Sequence, residues 1–257
     1  MQKISDLKEI RSKKFEKLEE HIGIEFENRE YLVQAFVHRS FLNEHRDFPL
    51  HHNERLEFLG DAVLELVVTD FLFSEYANPE GQLTNWRAAL VNSKMLASVA
   101  HEINFEKYLF LSHGESKDAG TKAREYILAN AMEALIGAIY WDKGYVMAQQ
   151  FIARWILTKL DYVLENGLWM DAKSRFQESA QEIVGVTPTY KVLKEKGPDH
   201  DKEFEIGVYL EKELVAKGKG TSKQEAQTDA AEKGLKKKKW KGPNIEILKR
   251  KPEDPLY

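Results

Sequence analysis

The chain has 257 residues, 42% of them hydrophobic and 31% charged, and no cysteine. That length allows one large domain or two ordinary ones, the composition is that of a globular protein, and the missing thiols exclude disulfides, thiolate chemistry and zinc–cysteine sites. No apolar run approaches a membrane span, and Met1-Gln2-Lys3-Ile4-Ser5-Asp6 lacks the apolar core of a signal peptide, so a cytoplasmic protein without a membrane partner is expected.

The net charge of −4 is unevenly spread. Residues 171–257 hold 19 Lys and Arg against 16 Asp and Glu, a net of +3, which leaves 19 against 26, a net of −7, for the rest. An acidic front fits a cation-binding core. A basic rear, with Lys236 to Lys239 in a row, fits contact with a polyanion, although a lysine run is also what an ordinary solvated surface shows.

In chain order, residues 1–20 are Lys- and Glu-rich and read as a helix. Tyr31 to Asn43 reads as another, with Leu32, Ala35 and Phe36 at helical spacing. It carries His38, Arg39 and Ser40, where His38 reads as a structural hydrogen-bonding residue. Glu44 to His52, with Pro49, reads as a loop. A long helix is expected from Asn53, its N-cap, to Tyr76. Ala77-Asn78-Pro79-Glu80-Gly81 breaks it. Helices are then expected over Leu83–Glu102, Phe105–Leu111, about Lys122 to Gly144, and Met147–Leu164, with a loop over Ser112–Thr121. No strand is expected in residues 1–165.

Beyond Asn166-Gly167 the pattern changes. Ala172 to Ile183 reads as a helix. Tyr190–Glu195 and Phe204–Leu210 alternate apolar and polar residues as half-buried strands do, with the turn Gly197-Pro198-Asp199-His200-Asp201 between them. Leu214–Lys219 is a third strand. Ser222 is the expected cap of a last helix running to Lys237, and Ala226, Ala230 and Ala231 would let that helix lie close on a sheet. The tail after Lys239 carries three prolines and is expected to be extended or disordered.

Chemistry concentrates in two stretches. In Asn53-Glu54-Arg55-Leu56-Glu57-Phe58-Leu59-Gly60-Asp61, a turn of about 100° per residue brings Glu54, Glu57 and Asp61 within roughly 60° of one another. The other sides of that helix are apolar, so it is expected to be buried. Carboxylates at helical spacing are also what a solvated outer face shows. The second stretch, Ile127 to Ala138, shifts that balance. It too is nearly all apolar, and Asn130 and Glu133 share one face. Gly137, poor for a helix interior, continues that face and suggests close approach of another helix. Two such helices could face each other and hold a hard divalent cation, which prefers oxygen ligands.

These motifs resemble ribonuclease III across nearly the whole chain. The nine residues Asn53 to Asp61 resemble the signature of that family. His38-Arg39-Ser40 resembles its His-x-Ser element. Glu80-Gly81, the Arg87–Asn92 helix and Ile127 to Gly137 are similar as well. Residues 171–240 resemble a double-stranded RNA-binding domain through Phe176-Gln177-Glu178, Gly197-Pro198-Asp199-His200 and Gly218-x-Gly220-Thr221-Ser222-Lys223.

The resemblance implies an all-α endonuclease domain over 1–165, a linker over 166–170, an α-β-β-β-α double-stranded RNA-binding domain over 171–240, and a tail over 241–257. It implies a homodimer that cuts both strands of duplex RNA by magnesium-dependent hydrolysis, manganese being a substitute, with 5′-phosphate and 3′-hydroxyl products, in the processing of ribosomal and messenger RNA precursors. Carried onto this chain, Glu57, Asn130 and Glu133 sit at metal-ligand positions, and Asp61 and Glu133 at catalytic ones. Glu54 and Glu80 match further acids of the catalytic valley, and Phe58 the aromatic that packs across the dimer. Gln177, Gln181, His200, Ser222 and Lys223 match RNA-contacting positions, His200 in a minor-groove turn and Lys223 facing phosphates. One departure stands out: the family has aspartate where this chain has Asn130. An amide can still touch a metal, but more weakly. A duplex-RNA-binding protein with impaired catalysis is therefore the alternative expectation.

Overall fold

The computed structural model describes residues 14–117, 120–198, 202–240 and 246–250. The chain divides into one unit of residues 1–160 and 250–257 and another of residues 161–249. In the first, helices follow one another: α1 (Phe15–Ile22), α2 (Arg29–Ala35), α3 (Arg39–Glu44), α4 (Glu54–Glu75), α5 (Glu80–Val91), α6 (Ser93–Glu102), α7 (His113–Ser116), α8 (Lys122–Lys143) and α9 (Tyr145–Trp155). α10 (Leu160–Glu165) carries the chain onward. The two 22-residue helices, α4 and α8, form the axis of this unit.

Several expected helices prove shorter, and each break has a local cause. Tyr31–Asn43 is two helices, because Val37 pairs with Phe110 in a parallel bridge. The Phe110 amide donates to Phe36 at 2.9 Å and the His38 amide to Phe110 at 3.1 Å. The chain is pulled extended there and buries Phe36 among Phe15, Phe105 and Tyr108. This is an isolated bridge and not a strand: among the described residues no strand lies before residue 165, as expected. His38 then restarts the helix as N-cap, its Nδ1 accepting from the Ser40 amide. Leu83–Glu102 breaks at Asn92, whose side chain donates to the Ala88 and Ala89 carbonyls and accepts from the Met95 amide. One residue thus finishes α5 and starts α6. Phe105–Leu111 is helical only over Phe105–Tyr108, as a 3₁₀ turn. Ser112–Thr121 contains the single turn α7, capped by Ser112. Met147–Leu164 breaks after Trp155, where Ile156 turns into the core. Asn53 begins α4 but does not cap it with its side chain, which donates instead to the Ala35 carbonyl at 3.1 Å.

α4 is also less buried than its composition suggested. Leu56, Val63, Leu64, Val67, Val68 and Leu72 are buried, but Phe58 is 81% exposed and Leu66 57%. An apolar stripe on the far side of the helix therefore faces outward.

The second unit has α11 (Ala172–Val184), β1 (Thr189–Lys196), β2 (Glu203–Leu210), β3 (Glu213–Gly220) and α12 (Lys223–Lys238). The strands form one antiparallel sheet in the order β1-β2-β3. Asp171 caps α11 by accepting from the Lys173 and Ser174 amides. Gly185, at φ +70, ends it in the left-handed region that favours glycine. Phe176, Ala180, Val208, Val215, Ala230, Ala231 and Leu235 make the core. Gly218 decides how close α12 lies: a Cβ there would overlap the Ala226 carbonyl and the Ala230 amide. The three alanines expected to lie on the sheet are all buried. Residues 166–170 form turns in which Trp169 is buried.

The described part of the tail, residues 246–250, is extended, one of the two states expected for it. Arg250 is hydrogen-bonded to the end of α4, which supplies backbone partners for an otherwise extended segment. The rest of that expectation, residues 241–245 and 251–257, lies outside the described residues, as does the helix start expected before residue 14.

Candidate functional site

The site follows from a crossing of α4 and α8 at which both helices lack a side chain. A Cβ on Gly60 would overlap the carbonyl of Glu133, and one on Gly137 would overlap the carbonyl of Leu56. The approach expected at Gly137 is thus real, and its partner is Gly60, which sequence reasoning did not single out. The signal was available: Gly60 lies one turn beyond Leu56, just as Gly137 lies one turn beyond Glu133.

With the backbones this close, the side chains flanking the glycines converge. The Asn130 amide hydrogen-bonds the Glu57 carboxylate across the crossing. Glu57 and Glu133 are half-buried, while Glu54 and Asp61 are exposed, so full burial of the acid stripe is corrected. The stripe lies at the rim of the crossing, where one side remains open to solvent.

Charge is frustrated here. Burial pushes the Glu133 carboxyl up to about 7, helped by the negative charges of Asp61 and Glu57. Glu57 is raised by burial and by Glu54 and Asp61, against the pull of the Asn130 hydrogen bond. No cation acts on either group among the described residues. Glu54 is partly balanced from outside, 3.6 Å from Arg39 and 3.7 Å from His52. Glu80 opens α5 as an exposed residue and is not among the charges that act on Glu57 or Glu133. Of the expected acids, the structure therefore brings together Glu54, Glu57, Asp61 and Glu133, with Asn130, and leaves Glu80 apart.

The donor set suits a hard cation, being carboxylate and amide oxygen with no imidazole or thiolate. Among the described residues no three His, Cys, Asp or Glu side chains gather tightly enough to hold a metal ion. The Asn130 amide, hydrogen-bonded to Glu57, contributes a neutral polar group beside these acids.

His38 behaves as a structural residue. Its Nδ1 lies 2.8 Å from the Ser40 hydroxyl, which accepts from the Ser112 amide at 3.1 Å. That chain ties the start of α3 to the loop before α7. Burial lowers the His38 pKa, which favours the neutral ring.

In the second unit, Gln177 and Gln181 are exposed one turn apart on α11. Gln181 accepts from the Thr187 hydroxyl at 3.2 Å. Ser222 caps α12, its hydroxyl oxygen accepting from the Glu225 amide. Lys223 is exposed, its ammonium 5.8 Å from the Phe204 ring. His200 lies outside the described residues. Of the lysine run, Lys237 donates to the Val215 carbonyl at 2.9 Å and Lys238 pairs with Glu213 at 3.0 Å. These two are engaged in holding α12 to the sheet. Lys217, which could supply phosphate charge, is paired with Glu205 at 3.4 Å. Such exposed pairs are weak, so Lys217 remains recruitable.

The family model described as Ribonuclease-III-like matches residues 28–160, and that of the double-stranded RNA binding motif matches residues 172–238. Ribonuclease 3 of Bacillus velezensis is 45% identical over 224 residues, 87% of this chain and 89% of that protein. Ribonuclease 3 of Bacillus licheniformis is 43% identical over 228 residues, 88% of this chain and 91% of that protein. Among solved structures, the nuclease domain of ribonuclease III from Campylobacter jejuni superposes with a TM-score of 0.51 at 40% identity, covering 56% of this chain and 96% of that one. A helical nuclease unit followed by a helix, three antiparallel strands and a helix, with relatives matching along most of its length, places this chain in the ribonuclease III family as an endoribonuclease with a double-stranded RNA-binding motif.

Proposed function

We propose that the chain is a homodimeric, double-strand-specific endoribonuclease that hydrolyses RNA phosphodiesters with magnesium, manganese substituting, to leave 5′-phosphate and 3′-hydroxyl ends. Its work is the processing of ribosomal and messenger RNA precursors in the cytoplasm. Residues 1–165 are the nuclease domain, 166–170 the linker, 171–240 the RNA-binding domain and 241–257 the tail. The observation that carries this reading is the glycine crossing, which crowds Glu57, Asp61, Asn130 and Glu133 together, so that Glu57 and Glu133 feel burial and the negative charge of neighbouring acids.

Glu57, Asn130 and Glu133 are the proposed metal ligands. A divalent ion held by these residues would lower the pKa of a bound water and steady charge on the phosphate. Glu133 and Glu57 bring negative charge to the ion. Asp61, exposed at the rim, orients the attacking water by accepting its hydrogen bond. Glu54 and Glu80 are further acids of the valley. Gln177, Gln181 and His200 contact the duplex in the minor groove, and Ser222 and Lys223 meet phosphate across the major groove.

The exposed stripe of Phe58 and Leu66 supports the homodimer, since apolar surface of this kind on α4 favours a second copy as cover. The nuclease domain from Campylobacter jejuni is described by its region involved in dimer formation. Replacing Phe58 by Asp is expected to shift the full chain from dimer to monomer in light scattering. A dimer that persists would remove Phe58 from the interface.

Asn130 supports a second reading, a duplex-RNA-binding protein with impaired catalysis. Its amide already satisfies Glu57 and brings no negative charge of its own. Cleavage of a simple RNA duplex in magnesium, by the parent and by Asn130→Asp, separates the two. Staggered products from the parent support the enzyme. Tight binding without cleavage, restored by Asn130→Asp, supports the binding protein. Absence of both binding and cleavage from both chains would overturn both readings.

A further inference from the structure

The last four carbonyls of a helix have no partner within it. At the end of α4, two of them are met from far along the chain. The Arg250 amide donates to the Glu75 carbonyl at 2.9 Å. Its guanidinium Nη1 donates to the Phe73 carbonyl at 3.3 Å, 177 positions away in sequence. The same guanidinium lies 5.2 Å from the centroid of the Phe73 ring, which is 48% exposed.

Each contact has a reason to favour arginine. A cation is favoured at the negative end of a helix. A planar guanidinium can stack on a ring while its N–H groups still donate, which an ammonium does less well. The segment around Arg250 lies outside every helix and strand, with a single β-bridge at Lys249, so ordering it costs backbone entropy that its contacts to the end of α4 help offset. They lie within the first unit, to which Arg250 belongs, whereas residues 161–249 form the second.

We propose that the carbonyl end of α4 is a docking surface for this chain's own C-terminal segment, with Arg250 as its plug. The RNA-binding unit is then fastened to the nuclease unit at both ends of its chain, by α10 before it and by the Arg250 clasp after it. Closing a loop in this way removes conformations that a unit held at one end would sample. The clasp is thus a limit on how far the RNA-binding unit can travel from the nuclease unit, and opening it extends that range.

Limited trypsin digestion of the full chain tests the clasp, read by mass spectrometry as release of the peptide that begins at residue 250. Synthetic peptides covering 241–257 serve as unclasped references, each matched in sequence to its full chain. Cleavage after Lys249 is expected to be roughly tenfold slower in the full chain than in its peptide, because proteolysis tracks the opened population. Arg250→Ala, and separately Phe73→Ser, should bring the rate within about twofold of the peptide. Thermal melts confirm that both variants fold. Cleavage of the parent at the peptide's rate, or acceleration by neither substitution, would overturn the docking.

The absence of cysteine allows a second readout. Fluorophores on Glu106→Cys in the first unit and Lys194→Cys in the second report the distance distribution between them. Arg250→Ala should broaden it. A distribution that this substitution leaves unchanged would overturn the tether.

Discussion

Both units bring two backbones together by leaving out a Cβ, and the consequences are opposite. In the nuclease unit, Gly60 and Gly137 let α4 and α8 touch, and the polar residues beside them face the crossing. Acids are crowded together, and Glu133 is pushed up to about 7. In the RNA-binding unit, Gly218 lets α12 lie on β3, and the polar residues at that contact find partners: Asp229 accepts from the Lys219 amide at 2.8 Å and Lys237 donates to the Val215 carbonyl at 2.9 Å. Charges there pair locally and apart, as in Lys233–Asp229 and Lys238–Glu213. Close packing is neutral toward charge. Whether it stores repulsion depends on whether the polar residues beside it meet opposite or like charge. The first unit should therefore respond to cations and pH, and the second to salt and phosphate.

The largest effect should come from restoring a Cβ at the crossing. Gly137→Ala is expected to cost about 3 kcal/mol or more, since backbone must move. Calorimetry should show the nuclease transition lost or strongly lowered while that of the RNA-binding unit stays. Gly218→Ala should do the reverse. If either substitution lowers both transitions equally, the units do not pack independently.

Glu133→Gln removes the most strained carboxylate. If Glu133 holds the metal as proposed, cleavage should fall at least ~100-fold. Metal-free stability should move the other way. The folded pKa of about 7 lies above the ordinary 4.5, so the folded state binds this proton more tightly than the unfolded chain. Stability of the parent unit should thus fall as pH rises from 4.5 through 7, with the full loss present above 7. Allowing for solvent screening, Glu133→Gln should recover on the order of 1 kcal/mol at pH 8. A parent whose metal-free denaturation midpoint is flat across that window would contradict the crowding of acids.

Asn130→Asp sharpens the same contrast. It adds a charge at the crossing, so the metal-free nuclease unit should lose on the order of 1 kcal/mol at neutral pH. Magnesium should return that stability to the variant more than to the parent. The smallest effect belongs to the other unit. Lys223→Ala should weaken duplex binding by about 1 kcal/mol across sequences and reduce the salt slope by about 1. The nuclease transition should not change.

The features legible in the sequence are those set by local periodicity. The acid stripe of Glu54, Glu57 and Asp61, the face shared by Asn130, Glu133 and Gly137, and the alanines of α12 all depend on helical spacing alone. The features that were not legible depend on partners distant in sequence. Nothing within Tyr31–Asn43 announces that Phe110 will pair with Val37 and break the helix there. Asn92 ends one helix and begins another only because its side chain turns both ways. The exposure of Phe58 could not be read from a helix that is apolar nearly all round. Composition says that such a helix wants cover, not whether the cover belongs to the same chain. Arg250 is one of four Lys and Arg in residues 241–257, and only its seat on Phe73 and Glu75 distinguishes it.

The most direct measurement is the titration of the Glu133 carboxyl by carbon-detected NMR, in the metal-free chain and with saturating magnesium. Without metal the midpoint should lie near 7, where burial and the neighbouring acids hold it. With magnesium it should drop below the ordinary 4.5, because a bound cation favours the charged form. A midpoint already ordinary without metal, or one that magnesium leaves in place, would contradict a crossing built to hold a divalent ion.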